Sequence, residues 1–436
     1  MTSTSGRSST SADDRAHPLD EQLASLHRQE WGRLLSVLVT RTRRLDLAED
    51  ALAEAFARAA SRWPDDGVPR NPAAWLFVTA HRLVIGRLRH EAVAGRVVPL
   101  LAVGTATTRP TDDGLDADDP ATGGESIGGE DERLPMLFLC CHPALSADAR
   151  SALALRLVIG TPTDEIARLF LVPTPTMAAR ITRAKQKIVG TGIPLALPAR
   201  DRLDERLDVV CRTILLAFTA GYTPGEGPDL LRIDVASDAV ELARVLHRFA
   251  PDDERTRALL ALVTLQHARR DARVHDGRLV TLADQDRTRW RLDEIRRGLE
   301  LVATLPPSTG YAEEVRLQAL LAAEHARAST AEATDWARIV AVYTELESLT
   351  GSPVVRMNRA VAVAEASGPA AGLALLDGLD DALGDGHRLH AVRGELAARA
   401  GDVPTAVRAV RAAIERCANE VERRHLAERL ATWTST

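Results

Sequence analysis

The stretch GTATTRPTDDGLDADDPATGGESIGGEDE, which opens at Gly104, restricts this chain more than any other feature. Glycine, threonine, proline and aspartate dominate it. Such a segment cannot bury enough apolar surface to offset the entropy of ordering, so it reads as an acidic, flexible linker. No single core can run through it, and 436 residues are in any case too many for one ordinary core. The expected divisions are a disordered polar tail over 1–19, a helical domain over 20–92 and the linker over 93–131. A second helical domain covers 132–192. A break follows at GIPLALP, with its two prolines, and a long helical extension fills 200–436.

Outside the linker the chain reads as all-α. Apolar content is ordinary at 45%, aromatics make up only 3%, and Ala, Leu and Arg are abundant. Ala, Leu and Arg enter helices at little cost, whereas strands favour aromatic and β-branched residues. The longest alternating run is GRLVTL. No run of about 18 uncharged apolar residues exists, so no membrane span is expected. The N-terminus lacks the apolar core of a signal peptide. Four cysteines in so long a chain do not form a disulfide framework, which points to a reducing cytoplasm. Cys140, Cys141 and His142 are consecutive. Neighbours on a helix point about 100° apart and cannot converge on one ion, so these residues read as helix packing and no metal site is expected. Toward the C-terminus, SPVVRMNRAVAVAEASGPAAGLALLDGL and GHRLHAVRGELAARAGDVPTAVRAVRAAIERC each read helix, small turn, helix. Their turn glycines, Gly368 and Gly401, stand close to one ~34-residue tetratricopeptide period apart.

Three stretches carry charge in a pattern that suggests chemistry, in a chain whose net charge is −6. TPTDEIARLFLVPTPTMAARITRAKQKI divides into two helices at LVPTP. Thr163 and Thr174 are candidate caps, and Pro175 suits the first helical position. Met177, Ile181 and Ala184 form the inner face of the second helix. Thr176, Arg180, Arg183 and Lys187 fall on or beside the other face, with Lys185 in the same basic run. This is the layout of a helix-turn-helix whose second helix enters the major groove, with arginine reading guanine and lysine neutralising phosphate. LDLAEDALAEAFARAASRWP places Ala48, Ala51, Leu52, Ala55, Phe56 and Ala59 on one apolar stripe. Asp46, Glu49, Asp50 and Glu54 lie elsewhere on that helix, either as a solvated face or as a docking face for a basic protein helix. NPAAWLFVTAHRLVIGRLRH sets Trp75 and Phe77 before Arg82, Arg87, Arg89 and His90. Aromatics beside a basic helix suit stacking on unpaired bases, although Trp75 also fits a core position.

In this order, the three stretches resemble a bacterial extracytoplasmic-function sigma factor of the sigma-70 family. DLAEDALAEAF and PAAWLFVTAHRLVIGRLRH look like region two. LSADARSALALRLVIGTPTDEIARLFLVPTPTMAARITRAKQKI looks like region four. LLALVTLQHARRDARV, LADQDRTRWRLDEI, TDWARIVAVYTEL and SPVVRMNRAVAVAE resemble the subgroup with a long helical, tetratricopeptide-like extension. The resemblance implies that the protein binds core RNA polymerase, through the clamp helices of the largest subunit and the flap, and directs initiation at promoter DNA. It implies no catalysis and no cofactor. Asp46, Glu49, Asp50 and Glu54 would meet the clamp helices. Trp75, Arg82, Arg87, Arg89 and His90 would hold the minus-ten element as single strand. Thr176, Ala179, Arg180, Arg183, Lys185 and Lys187 would read the minus-thirty-five element. The linker would thread the RNA channel, and the extension would meet a protein or ligand partner.

Three positions depart from the family pattern. Gly86 stands where Asp is usual, Thr219-Ala220 replaces Asn-Glu, and Ala179 replaces a frequent Gln. The residues alone also admit a one-component regulator, in which the helix-turn-helix binds an operator unaided and the extension senses a ligand. An enzyme finds no support, because a Gly-rich phosphate loop, metal-ligand spacing and a nucleophile elbow are all absent from the sequence.

Overall fold

A computed structural model describes residues 13–97, 133–170, 172–193, 195–222, 231–275, 278–384, 386–417 and 419–434. The chain divides into two compact units, 1–206 and 207–436. Among the described residues the secondary structure is helical apart from one two-stranded hairpin, Val274–His275 with Arg278–Leu279. The expected linker lies mostly at 98–132, and GYTPGEGPD mostly at 223–230, both outside the described residues.

The first unit opens with α1 (Asp13–Thr42), α2 (Leu45–Asp66) and α3 (Pro72–Val97). The helix α1 begins inside the tail expected to be disordered through residue 19. Asp13 and Asp14 fall in its first turn, where a helix dipole favours acids. At the other end α3 continues past residue 92, the expected edge of the linker. Trp31, Leu34, Leu35 and Leu38 bury one face of α1. Ala48, Ala51, Leu52, Ala55 and Ala59 of α2 are all fully buried, so the small side chains let α2 lie close to its neighbours. Phe56 extends the same stripe but is only partly buried, tilted against His27 and Trp31.

After residue 132 come α4 (Arg133–Cys140), α5 (Ala147–Ala154) and a π-helical turn over Leu155–Ile159. Then follow α6 (Thr163–Leu169) and α7 (Thr174–Thr191). Ile166 and Ala167 of α6 and Met177, Ile181, Ala184 and Ile188 of α7 are buried. Their four- and three-residue spacing is what fixes the helix-turn-helix angle. Thr163 and Thr174, expected as caps, are each the first helical residue, and neither helix has a side-chain cap. Pro162 and Pro173 occupy the cap positions instead: a proline's fixed φ enters a helix readily and brings no N–H to satisfy. Cys140 and Cys141 are buried, and burial pushes the Cys140 thiol well up from its ordinary value.

The first unit holds together through a very close approach. A Cβ on Gly32 of α1 would lie 1.8 Å from the carbonyl oxygen of Val158 in the π-helical turn. Gly160 ends that turn with φ +81°, and its own Cβ position faces Trp31. Arg156 lies 5.4 Å from the ring centre of Trp31, so a cation covers the buried indole. The residues before and after the linker therefore pack directly on one another.

In the second unit, helices pair as antiparallel-type hairpins. The boundary falls within α8 (Arg200–Tyr222). It is followed by α9 (Ile233–Phe249), α10 (Glu254–His267), α11 (Leu292–Ala303) and α12 (Gly310–Arg327). The last hairpins come from α13 (Trp336–Thr350), α14 (Pro353–Ser367), α15 (Pro369–Leu375), α16 (Asp380–Leu383), α17 (His387–Arg399), α18 (Val403–Arg416) and α19 (Glu420–Thr434). The turn glycines Gly368 and Gly401 have φ of +94° and +83°, a region that only glycine enters without strain. Gly372 and Gly394 let helices touch: a Cβ at either would lie 2.5 Å from the facing chain, at Ala360 and Val410 respectively.

Candidate nucleic-acid and polymerase interface

The expected functional side chains all lie on α2, α3 and α7 of the first unit. On α7, Thr176, Ala179, Arg183 and Lys187 are exposed, opposite the buried stripe of Met177, Ile181, Ala184 and Ile188. The charged face is therefore a direct consequence of the buried one. Arg180 is less exposed, at 21% of its side chain, and its guanidinium lies 3.4 Å from Asp148 of α5. Arg183 curls back so that its Nε donates to the carbonyl of Ala179. Lys185 departs from the group. It leaves the exposed stripe and reaches α2, where its Nζ sits 2.6 and 2.7 Å from the two carboxylate oxygens of Glu49.

On α3, Arg82, Gly86, Arg89 and His90 form a second exposed stripe at helical spacing. A Cβ on Gly86 would meet nothing within 4 Å, so the missing side chain leaves open space on this face. Arg87 points elsewhere, 3.8 Å from Asp50. Trp75 is partly buried, edge-on to the buried Trp63 with ring centres 5.5 Å apart. Phe77 is a core residue: it is buried, stacked on His81 and covered by Arg41. Burial and then Arg41 hold His81 below its usual pKa.

Every expected acid of α2 has an intramolecular cation. Asp46 takes a two-point contact from Arg44, which also reaches Glu91. That hydrogen bond holds the Asp46 carboxyl below its usual range. Glu49 pairs with Lys185, Asp50 with Arg87, and Glu54 with Arg58 at 2.9 Å. The structure thus joins two groups that the sequence kept separate, because Lys185 and Arg87 come from the nucleic-acid sets and Glu49 and Asp50 from the polymerase set. Reading by sequence missed Gly32, Trp31 and Arg156, which form the seam beneath these pairs. A lone glycine inside the helical pattern EWGRLL is the signal that could have exposed the close approach.

Far from this face, His387, Cys417 and Glu422 bring one ligand atom each within 4.8 Å of one another. Hydrogen bonding already satisfies them. Glu422 pairs with His387 at 2.7 Å, and the thiol donates to the carbonyl of Asn419. Arg388, 3.9 Å from Glu422, supplies a positive charge where a metal would sit poorly. No helix among the described residues is long and apolar enough to cross a membrane.

Family models match each of these parts. Sigma-70 region 2 matches residues 26–93, and sigma-70 region 4 matches 136–188. A family of unknown function, DUF6596, matches 206–305. An uncharacterized protein of Rhizobium meliloti (strain 1021) is 38% identical over 388 residues, covering 88% of both chains. No solved structure matches the chain. A helix-turn-helix after an acidic-and-basic helical domain, each matched by its own region model, defines a transcription initiation factor of the sigma-70 family, and the chain belongs to that family. Within it, the chain is an extracytoplasmic-function-like sigma factor with a C-terminal extension. It acts with core RNA polymerase and promoter DNA to direct promoter-specific transcription.

Proposed function

We propose that α7 reads the minus-thirty-five element in the major groove through Thr176, Ala179, Arg180, Arg183 and Lys187, with Lys185 joining once its contact to Glu49 is released. The observation that carries this reading is the exposed polar stripe of α7 set opposite its buried stripe in the second helix of a helix-turn-helix. Arg82, Arg87, Arg89 and His90 hold the single-stranded minus-ten element, with Trp75 at the edge of that surface. Asp46, Glu49, Asp50 and Glu54 dock on the clamp helices of the largest polymerase subunit, and region four reaches the flap. The residues before the linker and after it act as separate modules on the promoter, and the extension serves as an interaction module. The protein works in the cytoplasm and carries out no catalysis of its own.

Run-off transcription with purified core polymerase tests the assignment. The doubly charge-reversed variant Arg183→Glu, Lys187→Glu should lose about 100-fold or more of promoter-specific product while co-eluting normally with core enzyme. Full activity in that variant would remove α7 from promoter reading. Tight operator binding by the chain alone, without polymerase, would instead favour a one-component regulator.

A further inference from the structure

The second unit contains a cluster of arginines without counter-ions. Arg273 lies with its guanidinium 4.0 Å from the ring centre of Tyr222. Trp290, itself buried, carries Arg287 at 4.4 Å and Arg269 at 5.8 Å. The carboxylates of this neighbourhood are already taken: Glu294 makes a two-point pair with Arg270, and Asp271 pairs with Arg291. Arg287 donates to the carbonyls of His325 and Ala328 and feels Glu332 only at longer range. Among the described residues, the side chains of Arg269 and Arg273 form no hydrogen bond or ion pair, and the Nε of Arg273 is buried with no acceptor. The imidazoles in the cluster add nothing negative. His267 accepts or donates only to Tyr222 and Ser237, and His325 packs against Trp336.

Desolvated guanidinium is costly unless something negative faces it, and stacking on an aromatic ring offsets only part of that cost. Burial, with Arg273 and Arg287 adding to it, pushes Arg269 away from its charged form. We propose that Arg269, Arg273 and Arg287 form a binding site for a small, multiply charged oxyanion bearing a phosphoryl group. Guanidinium forks match phosphate oxygens in pairs, which a lysine cluster would not do. The ligand is compact, because the faces of Tyr222 and Trp290 are already occupied by arginines and leave no stacking platform for a base.

Calorimetric titration and thermal melting of the full chain test this with inorganic phosphate, inorganic pyrophosphate and adenosine 5′-monophosphate, each against chloride at matched ionic strength. Phosphate or pyrophosphate should raise the melting temperature by several degrees. Arg269→Gln should weaken their binding by about tenfold or more and abolish that rise. The same variant should melt no lower than the natural protein when no anion is present, since it removes an uncompensated charge. A structural strut would show the opposite sign. Arg269→Lys, which keeps the charge but loses the fork, should fall between the two. Overturning results are the absence of a response to all three probes, a rise undiminished in Arg269→Gln, or a drop in the anion-free melting temperature of that variant. A nucleotide preferred over inorganic phosphate would also contradict a compact ligand.

A second inference rests on the docking proposed above and on a different observation. We infer that the chain, before it meets polymerase, is clasped shut: the acidic face of α2 is held by Lys185 of the recognition helix and Arg87 of the minus-ten helix, over the seam of Gly32 and Val158. Core polymerase and α7 then compete for Glu49. Donor and acceptor dyes on cysteines introduced at the exposed Ala57 and Gln186 report the clasp in the full chain. Energy transfer should be high in the free protein and fall when core enzyme is added. Gly32→Leu, which lies outside both binding faces, should lower transfer in the free chain and tighten core binding severalfold. Low transfer in the free natural chain, or transfer unchanged in its complex with core, would refute the clasp. Failure of the natural chain to bind core at all would refute the docking assignment instead.

Discussion

The two units use arginine in opposite ways. In the first, Arg82, Arg89 and Arg183 stand on exposed helical faces, and the paired cations, such as Lys185 and Arg87, hold carboxylates that they can exchange. In the second, Arg269, Arg273 and Arg287 are laid against aromatic rings inside helical hairpins. A surface ion pair is worth at most about 1 kcal/mol, so it suits a contact that must be given up. A guanidinium in a packed interior is fixed in place and suits a site that must persist. The first unit should therefore be sensitive to charge and the second to volume.

Reversing Asp46, Glu49 and Asp50 to Lys gives the largest expected departure. Core polymerase affinity should fall by about 100-fold or more, measured by fluorescence anisotropy at low salt, because a docking face becomes a repelling one. A retained affinity would break the charge side of the comparison. The volume side is tested at Gly394, where even a Cβ would meet Val410 at 2.5 Å. Gly394→Val should destabilise the second unit by about 1 to 3 kcal/mol in denaturant unfolding, with core binding unaffected.

Acid should also act on the second unit. Burial, followed by Arg270, depresses His267 to about 4, and burial does the same to His325. In the unfolded chain a histidine titrates near 6.5, so the unfolded state takes up the proton first as pH falls. The stability that neutral His267 contributes is complete above about pH 6.5. It is lost between there and about pH 4, by up to about 3 kcal/mol, as a falling melting temperature would show. His267→Gln should flatten that dependence. The smallest effect is expected at Gly86, whose Cβ would face open space on the exposed stripe of α3. Gly86→Ala should stabilise the helix by about 1 kcal/mol through backbone entropy alone, read by thermal melting.

Much of this architecture is legible in the sequence because helices write their buried face at a fixed period. Met177, Ile181 and Ala184 are readable as an inner stripe, and the exposed residues of α7 follow by elimination. The alanines of α2 are readable in the same way. Periodicity gives a face but not its neighbour, and that limit explains what stayed hidden. Lys185 belongs to a basic run in the sequence, yet one helical turn's rotation sends it to Glu49, on the far side of a long linker. Arg269 and Arg273 read as ordinary charges in HARRDAR, and only the tertiary packing shows that Arg270 and Arg291 consume the carboxylates around them. The caps failed for a local reason, since a proline stands just ahead of each threonine.

The π-helical turn at Leu155–Ile159 has a consequence for insertions and deletions. It accommodates one residue more than an α-helical turn would. Deleting a single residue there would restore regular winding, and everything beyond it would swivel by about 100° about the helix axis. Arg156 would lose Trp31, and the promoter-reading helix would be aimed in a new direction, although no residue of either face had been altered. Length, as much as identity, is therefore under constraint in those few residues.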